Sequence, residues 1–307
     1  MSSASPSAVV FGYHNVGFRC LQVLLDQGVR VPLVFTHDDD PAEAIWFDSV
    51  AALAGRHGIE VLTPEDANTP GIGARLQALA PDFLFSFYYR RMLSPALLGI
   101  PGRGAFNMHG SLLPRFRGRA PVNWALVKGA TETGATLHEM VEKPDAGRIV
   151  DQQAVTIGED DIAIEVFHKV TDAAVAVLTR SLPRLVAGTA VLKAQDLAAG
   201  SYFGGRRPED GRIDWSLGAR AVHDLVRAVA PPYPGAFTHI GGQRMRILRT
   251  RLAGERAARC DAAGLYSERS VLYADCADGS VLQLLETEGG PPISEGTKIP
   301  FDAQDRH

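Results

Sequence analysis

The chain has 307 residues, of which 46% are hydrophobic and 21% are charged, and its formal net charge is −4. This composition is typical of a globular protein with one large or two moderate domains, and it gives no global reason to expect a nucleic-acid partner. No apolar run approaches the roughly 20 residues that span a bilayer, and residues 1–8 lack the regions of a signal peptide. The sequence therefore predicts no membrane insertion and a cytoplasmic location, where Cys20, Cys260 and Cys276 would stay free thiols.

The first two thirds of the chain alternate short β-rich runs with helical patterns. The patterns predict strands over residues 8–11, 31–35, 60–62 and 83–88, and helices over residues 18–27, 43–57 and 71–80. A further strand ends at Asn107 and His109, and it is followed by strands over 136–141 and 148–157 and a helix over 162–185. Because the apolar runs are continuous, this alternation predicts an α/β, Rossmann-like parallel sheet that is covered on both faces.

The composition and the periodicity of the sequence change near residue 190. Residues 191–211 are rich in glycine and have little periodicity, so they predict a linker between a catalytic domain (1–190) and a small domain (212–307). The small domain shows a helix over 219–229 and short strands over 244–252, 271–274 and 281–285. Short strands separated by Gly and Asp turns predict an OB-like β-barrel, or a sandwich.

An amide and an imidazole lie two residues apart at the end of an apolar run, in Phe106-Asn107-Met108-His109-Gly110-Ser111-Leu112-Leu113-Pro114. Positions i and i+2 of a strand face the same side, and open α/β sheets place their ligands at strand exits. Asp145 follows in a loop 36 residues after His109. The amide would donate to a developing oxyanion, the imidazole would exchange protons near neutral pH, and the carboxylate would orient and charge the imidazole. The sequence thus predicts Asn107, His109 and Asp145 as the catalytic residues of an acyl transfer.

With these residues and the Ser-Leu-Leu-Pro turn, the chain resembles the formyltransferases that use 10-formyltetrahydrofolate. Further segments carry the resemblance, among them Phe11-Gly12-Tyr13-His14, Phe85-Ser86-Phe87-Tyr88-Tyr89-Arg90 and Arg117-Gly118-Arg119-Ala120-Pro121. It is nearest to the formyltransferase portion of the bifunctional polymyxin-resistance enzyme, which modifies UDP-4-amino-4-deoxy-L-arabinose during lipid A remodelling. That enzyme carries an additional NAD-dependent decarboxylase domain, and the present sequence ends before such a domain could begin. We therefore expect a monofunctional formyltransferase.

The resemblance also implies a pocket for the folate cosubstrate. Arg91, Met92 and Leu93 match the segment that holds the pterin, and Arg119 matches a position that lines the site. The other side would be closed by the loop Val141, Glu142, Lys143, Pro144 and Asp145. Met92 and Leu93 could instead be ordinary core residues.

Other motifs predict less. Gly12 to Gly17 contains no GxGxxG, and His37-Asp38-Asp39-Asp40 favours a solvated turn over a metal site, so no metal is expected. Ser111 is expected to be a turn residue, and His138 a core or supporting histidine. Arg206 and Arg207 could bind a phosphate or belong to a solvated linker.

Three functions compete: a formyltransferase for a UDP-linked amino sugar, a methionyl-tRNA formyltransferase, and a non-enzymatic nucleotide-binding module. The third leaves the Asn, His and Asp residues unexplained. Residues 208–307 contain 12 Lys and Arg against 14 Asp and Glu, a balance of −2, whereas a tRNA-binding domain should be basic. Arg119 and the Gly12-Tyr13-His14 loop also depart from the tRNA enzymes. The sequence therefore favours a nucleotide-linked amino sugar over tRNA, and the resemblance implies a UDP-4-amino-4-deoxy sugar as the acceptor.

Overall fold

The computed structural model describes residues 5–41, 44–254, 256, 258–259 and 263–305. Fifteen strands lie in these ranges: β1 Ser7–Gly12, β2 Arg30–Phe35, β3 Glu60–Leu62, β4 Phe83–Phe87, β5 Ala105–His109, β6 Arg117–Gly118, β7 Glu132–Glu139, β8 Ile149–Thr156, β9 Tyr202–Phe203, β10 Ala236–Ile240, β11 Gln243–Leu252, β12 Gly264–Glu268, β13 Val271–Asp275, β14 Val281–Gly289 and β15 Lys298–Pro300. The α-helices there are α1 His14–Asp26, α2 Val50–Arg56, α3 Pro70–Leu79, α4 Pro95–Leu98, α5 Pro121–Val127, α6 Ala163–Ala187 and α7 Ala219–Val229.

The chain divides into two compact units. The first contains residues 1–118, 133–155 and 168–203, and the second contains residues 119–132, 156–167 and 204–307. Within the described residues, no helix is both long and apolar enough to cross a bilayer.

A seven-stranded sheet organises the first unit, with the strand order β3-β2-β1-β4-β5-β7-β8. The pairs from β3 to β5 are parallel, as the sequence predicted, but β7 runs antiparallel to β5. Strands β1 and β4 are buried along their whole length, which explains their unbroken apolar sequences. Strands β2 and β3 are added on one side of β1, and β4 and β5 are added on its other side, so the strand order reverses between β1 and β4. In open α/β sheets this reversal opens a crevice at the carboxyl ends of the strands.

An antiparallel six-stranded sheet, ordered β10-β11-β14-β13-β12-β15, forms the second unit together with α7. It confirms the predicted small OB-like β-domain. The helix over 219–229 was predicted to the residue, because its apolar and polar positions separate cleanly by face. Strands β10, β12 and β15 were not predicted, since each has only three to five residues and none shows a clear alternation.

The helix predicted over 43–57 begins only at Val50; residue 43 itself lies outside the described residues. The Ser49 side chain accepts a hydrogen bond from the backbone N–H of Ala52, which makes Ser49 the N-cap. The Trp46 and Phe47 rings, just before it, lie against the His14 ring with centroids 4.4 and 4.0 Å away. Aromatic packing thus replaces the predicted first turns of the helix.

Candidate functional site

Asn107 and His109 lie at the carboxyl end of β5, one strand away from the place where the strand order reverses. Met108 between them is buried, as the two-residue period requires. The Asn107 side chain is half-buried, and the His109 side chain is almost fully buried. Both functional side chains therefore leave the sheet on the same face, where α/β sheets hold their ligands.

The His109 ring is fixed by two groups. Its Nε2 lies 2.9 Å from the backbone oxygen of Phe116, and its Nδ1 lies 3.5 Å from Oδ1 of Asp145. A carbonyl oxygen can only accept, so Nε2 carries the hydrogen and Nδ1 is left to exchange a proton. The sequence predicts that Asp145 orients and charges the imidazole; in the structure the Phe116 carbonyl fixes its tautomer, and Asp145 contributes charge.

Asp145 lies in the loop after β7 with a left-handed backbone, φ +53°. The backbone N–H of Gly118 donates to its Oδ2 at 2.8 Å, and the Gln195 side chain donates to its backbone oxygen at 3.0 Å. Burial alone would raise the pKa of this carboxyl. The charge of His109 and the Gly118 hydrogen bond outweigh burial and hold the pKa of Asp145 well below its usual value. Asp145 is therefore a carboxylate at any neutral pH.

His138, which the sequence predicts to be a core or supporting residue, belongs to this cluster. It is 2% exposed, and its Nε2 lies 3.1 Å from Nδ2 of Asn107 and 3.5 Å from Oδ1 of Asp145. Strand β7 brings it there, because His138 pairs with Asn107 in the antiparallel register. A Thr-x-His pattern, Thr136 and His138, was the available signal, since both positions face the same side of a strand.

The turn after β5 is held by its own side chains. The Ser111 hydroxyl donates to the backbone oxygen of Arg115 at 2.6 Å, and the Thr136 hydroxyl donates to the backbone oxygen of Ser111 at 2.6 Å. These bonds place Ser111 in the turn, the position expected from the sequence. They also bring the Phe116 carbonyl to His109.

The segment predicted to hold a pterin divides between core and surface. Leu93 packs in the apolar core with Phe11 and Leu97, whereas Met92 is 57% exposed. Asn68 fixes the backbone here, because its side chain donates to the Met92 carbonyl and accepts from the Ser94 N–H. An exposed methionine on a fixed backbone can contact a flat ring.

The other predicted folate contacts have mixed surroundings. The Arg91 side chain donates to the Pro64 carbonyl at 2.6 Å. In the loop after β7, Val141, Glu142 and Lys143 are exposed, and Pro144 is half-buried beside Asp145. Val141 is thus an exposed apolar side chain of this loop, at 41% exposure.

The candidate cations lie in the second unit. Arg119 is exposed, and its guanidinium passes within 3.7 Å of a Cβ position at Gly205. The Arg206 guanidinium stacks over the Trp124 ring at 4.8 Å, and its Nε is buried with no hydrogen-bond partner among the described residues. Arg207 is exposed, and its backbone N–H donates to Asp210. The two neighbouring arginines therefore differ, because Arg206 is held in place by an aromatic ring and Arg207 is exposed.

The polar run His37-Asp38-Asp39-Asp40 is exposed at its three aspartates, and Asp39 accepts a hydrogen bond from the Tyr13 hydroxyl at 2.8 Å. In the ranges that the structure describes, no group of three potential ligands could hold a metal ion. Burial, helped by Arg91 and Arg90, lowers the pKa of His37 to about 4. Cys20 and Cys276 are buried free thiols, and Cys260 lies outside the described residues.

Two family models match the chain. Residues 14–182 match the formyl transferase model, and residues 206–295 match the model of the formyl transferase C-terminal domain. The first match covers more than half of the chain and contains Asn107, His109, His138 and Asp145.

Solved structures share the fold. An N-formyltransferase from Helicobacter canadensis, in complex with folinic acid and dTDP-3-aminofucose, is 19% identical with a TM-score of 0.71, over 91% of this chain and 98% of that chain. A 4-N formyltransferase from Francisella tularensis is 20% identical with a TM-score of 0.63, over 76% and 91%. HypX from Aquifex aeolicus is 17% identical with a TM-score of 0.62, over 94% of this chain but only 46% of its own length. The family matches and the shared fold agree: the chain belongs to the formyltransferase family.

Proposed function

We propose that the protein transfers a formyl group from 10-formyltetrahydrofolate to the amine of a nucleotide-linked amino sugar, most specifically UDP-4-amino-4-deoxy-L-arabinose, in the cytoplasm. The observation that carries the proposal is the cluster of an amide, two imidazoles and a carboxylate at the end of β5. Solved formyltransferases with this fold supply further support, because one was crystallised with folinic acid and a dTDP-amino sugar.

Each residue of the cluster has a distinct role in this proposal. Asn107 donates from Nδ2 to the oxygen of the reacting formyl group, where negative charge develops. His109 holds the exchanging proton at Nδ1, between the incoming amine and the departing nitrogen. Asp145 stays ionised and stabilises the imidazolium while it exists. The folate derivative supplies the activated formyl group when it is bound.

The proposed folate pocket uses Met92 and Val141 as apolar contacts. Both side chains are exposed. Asn68 binds the backbone at Met92, and Gln195 binds the backbone oxygens of Asp145 and Gly147 further along the loop that contains Val141. Flat heteroaromatic ligands favour such apolar walls with a few backbone partners. Arg91 and residues 142–144 would complete the rim.

Arg206 is proposed to bind the diphosphate of the acceptor, with Arg119 as a second cation. Burial lowers the pKa of the Arg206 guanidinium, and the Asp210 charge offsets only part of that effect. An anion would relieve this cost and would give the buried Nε a partner. A tRNA would require many phosphate contacts, which the −2 balance of residues 208–307 disfavours.

A calorimetric titration with UDP tests the acceptor class directly. We expect measurable heat from UDP with the wild-type protein, at least a tenfold weaker affinity in Arg206→Met, and a change below about twofold in the control Arg207→Met. A panel of UDP- and dTDP-linked amino sugars and Met-tRNA, each with 10-formyltetrahydrofolate, identifies the acceptor. Tight binding of tRNA with no heat from UDP would reverse the choice in favour of the methionyl-tRNA enzyme.

A further inference from the structure

We propose that His138 is a positioning residue that locks the Asn107 amide in one orientation, with its Nδ2 group turned toward the reacting formyl oxygen. The inference rests on the proposed role of Asn107 and extends it. It concerns only side chains of the first unit, which share one sheet and one register.

The backbone next to His138 determines its tautomer. Nδ1 of the ring lies 2.7 Å from the carbonyl oxygen of Glu139. Because that oxygen can only accept, Nδ1 carries a hydrogen and, in the neutral ring, Nε2 presents a lone pair. The tautomer of His138 is therefore the opposite of the one that the Phe116 carbonyl imposes on His109.

This lone pair determines the orientation of the amide. Nε2 of His138 is 3.1 Å from the Asn107 side chain, so the amide must present a donor to it, and the donor is Nδ2. Rotating the amide by half a turn would place Oδ1 against a second acceptor and lose the hydrogen bond. One Nδ2 hydrogen is then bound by His138, and the other hydrogen of the same nitrogen is left to donate to the reacting formyl oxygen, as the proposed role of Asn107 requires.

Charge keeps this arrangement intact when His109 is protonated. Oδ1 of Asp145 lies 3.5 Å from both Nδ1 of His109 and Nε2 of His138. One imidazolium beside the carboxylate makes a neutral buried pair, whereas two would leave a net positive charge among buried side chains. The proposed reaction places the single proton on His109, and this leaves the Nε2 lone pair of His138 for the Asn107 amide.

His138 differs from a catalytic residue in its position. It is 2% exposed, and the Asn107 amide and the Asp145 carboxylate adjoin its Nε2, so it acts on the substrate through Asn107. A buried histidine that merely fills the core would affect stability without any coupling to Asn107. The two roles predict different results in a double-mutant cycle.

The test compares His138→Ala, Asn107→Ala and the double variant in steady-state formyl transfer to the acceptor found by the panel. We expect His138→Ala to lower kcat by about 10- to 100-fold, because misplacing a reacting group by about 1 Å costs on the order of 100-fold. Folate affinity should change by less than about twofold. In the Asn107→Ala background, loss of His138 should cost less than about twofold more.

Two further variants separate positioning from packing. His138→Gln can place an amide oxygen near the position of Nε2, so it should recover most of the rate. His223→Gln is the matched control, since His223 is also a buried histidine with a partner on each nitrogen but lies in the second unit. It should leave kcat within about twofold of the wild-type value.

Multiplicative losses in the double variant, or wild-type kcat in His138→Ala, would overturn the inference while leaving the role of Asn107 intact. Wild-type turnover in Asn107→Ala would overturn the proposed role of Asn107 and this inference with it. If the alanine variant does not fold, the ¹⁵N chemical shifts of the histidine rings in the wild-type protein still decide. A protonated Nδ1 on His138 supports the inference, and a protonated Nε2 in the neutral ring refutes it.

Discussion

Replacing Asp145 by asparagine removes a charge while keeping nearly the same shape. The Gly118 N–H, which donates to Oδ2 at 2.8 Å, can still donate to an amide oxygen, so the loop should keep its conformation. The Asp145 carboxylate lies 3.5 Å from Nδ1 of His109, and at an effective dielectric constant of about 20 two unit charges at this distance attract by about 5 kcal/mol. That attraction is available only while His109 is an imidazolium, which is the state that the proposed proton transfer creates.

The full attraction would correspond to between three and four orders of magnitude in rate, at about 1.4 kcal/mol for each factor of ten. The asparagine dipole recovers part of it, so we expect Asp145→Asn to lower kcat by roughly 100- to 1000-fold with little change in the KM for the folate. Steady-state formyl transfer and a folate titration measure both quantities.

The matched control is Asp151→Asn on strand β8. Asp151 is a half-buried carboxylate of the same unit that pairs with Arg180, and it belongs to no proposed site. It should keep kcat within about twofold even if its melting temperature falls. A turnover of more than about one third of wild type in Asp145→Asn would refute the electrostatic role of Asp145.

Three further predictions concern the framework of the protein. Gly118 has φ +96°, and a Cβ there would lie 2.1 Å from the Phe203 carbonyl oxygen, so Gly118→Ala should abolish most activity. The control Gly188→Ala, with φ +69° and open space around it, should cost only about 1 kcal/mol of stability and leave kcat unchanged. Equal activities in the two variants would contradict this prediction. Burial, with smaller contributions from nearby cations, lowers the pKa of His14 to about 3 in the folded protein, whereas the pKa in the unfolded chain is near 6.5. Between these two pH values the unfolded chain binds more protons than the folded protein, so the stability falls as the pH falls. Urea unfolding at pH 7 and pH 5 measures the free energy of unfolding that is lost between these two pH values. Relative to the wild-type protein, this loss should be smaller by up to about 2 kcal/mol in His14→Gln and unchanged in the exposed control His57→Gln. Finally, Asp305 is fully buried and accepts hydrogen bonds from the backbone and side chain of His239. Asp305→Ala should therefore lower the free energy of unfolding by about 3–5 kcal/mol in a urea titration. A loss below about 1 kcal/mol would show that this network contributes little.

The sequence was sufficient for the elements whose pattern is long and local. Strand β4 and helix α7 were predicted within one residue, because an unbroken apolar run and a clean helical period each specify the structure without reference to distant contacts. The early start of α1 and the late start of α2 were missed. Both depend on aromatic packing between His14 and residues 46–47, which are more than 30 positions apart in the sequence.

The candidate site was predictable to the extent that it follows strand geometry. Asn107 and His109 share a face because they are two residues apart on one strand, and Asp145 was recognisable from its loop motif. The Phe116 carbonyl and the Gly118 amide were not predictable, because they are backbone groups whose positions depend on the turn over residues 110–116 and on the pairing of β6 with β9.

His138 shows most clearly where sequence reasoning ends. In a parallel sheet, β7 would present a different set of side chains to Asn107, and the expectation of a parallel strand gave no reason to align His138 with it. The observed antiparallel register aligns His138 with Asn107 and Thr136 with His109, so one strand supports both reactive side chains and the turn that follows them. His138, which the sequence alone predicts to be a core or supporting residue, is thereby the hydrogen-bond acceptor that we propose for the Asn107 amide. The reversal of a single strand is thus what allows the formyltransferase site to fix the direction of its proposed oxyanion donor.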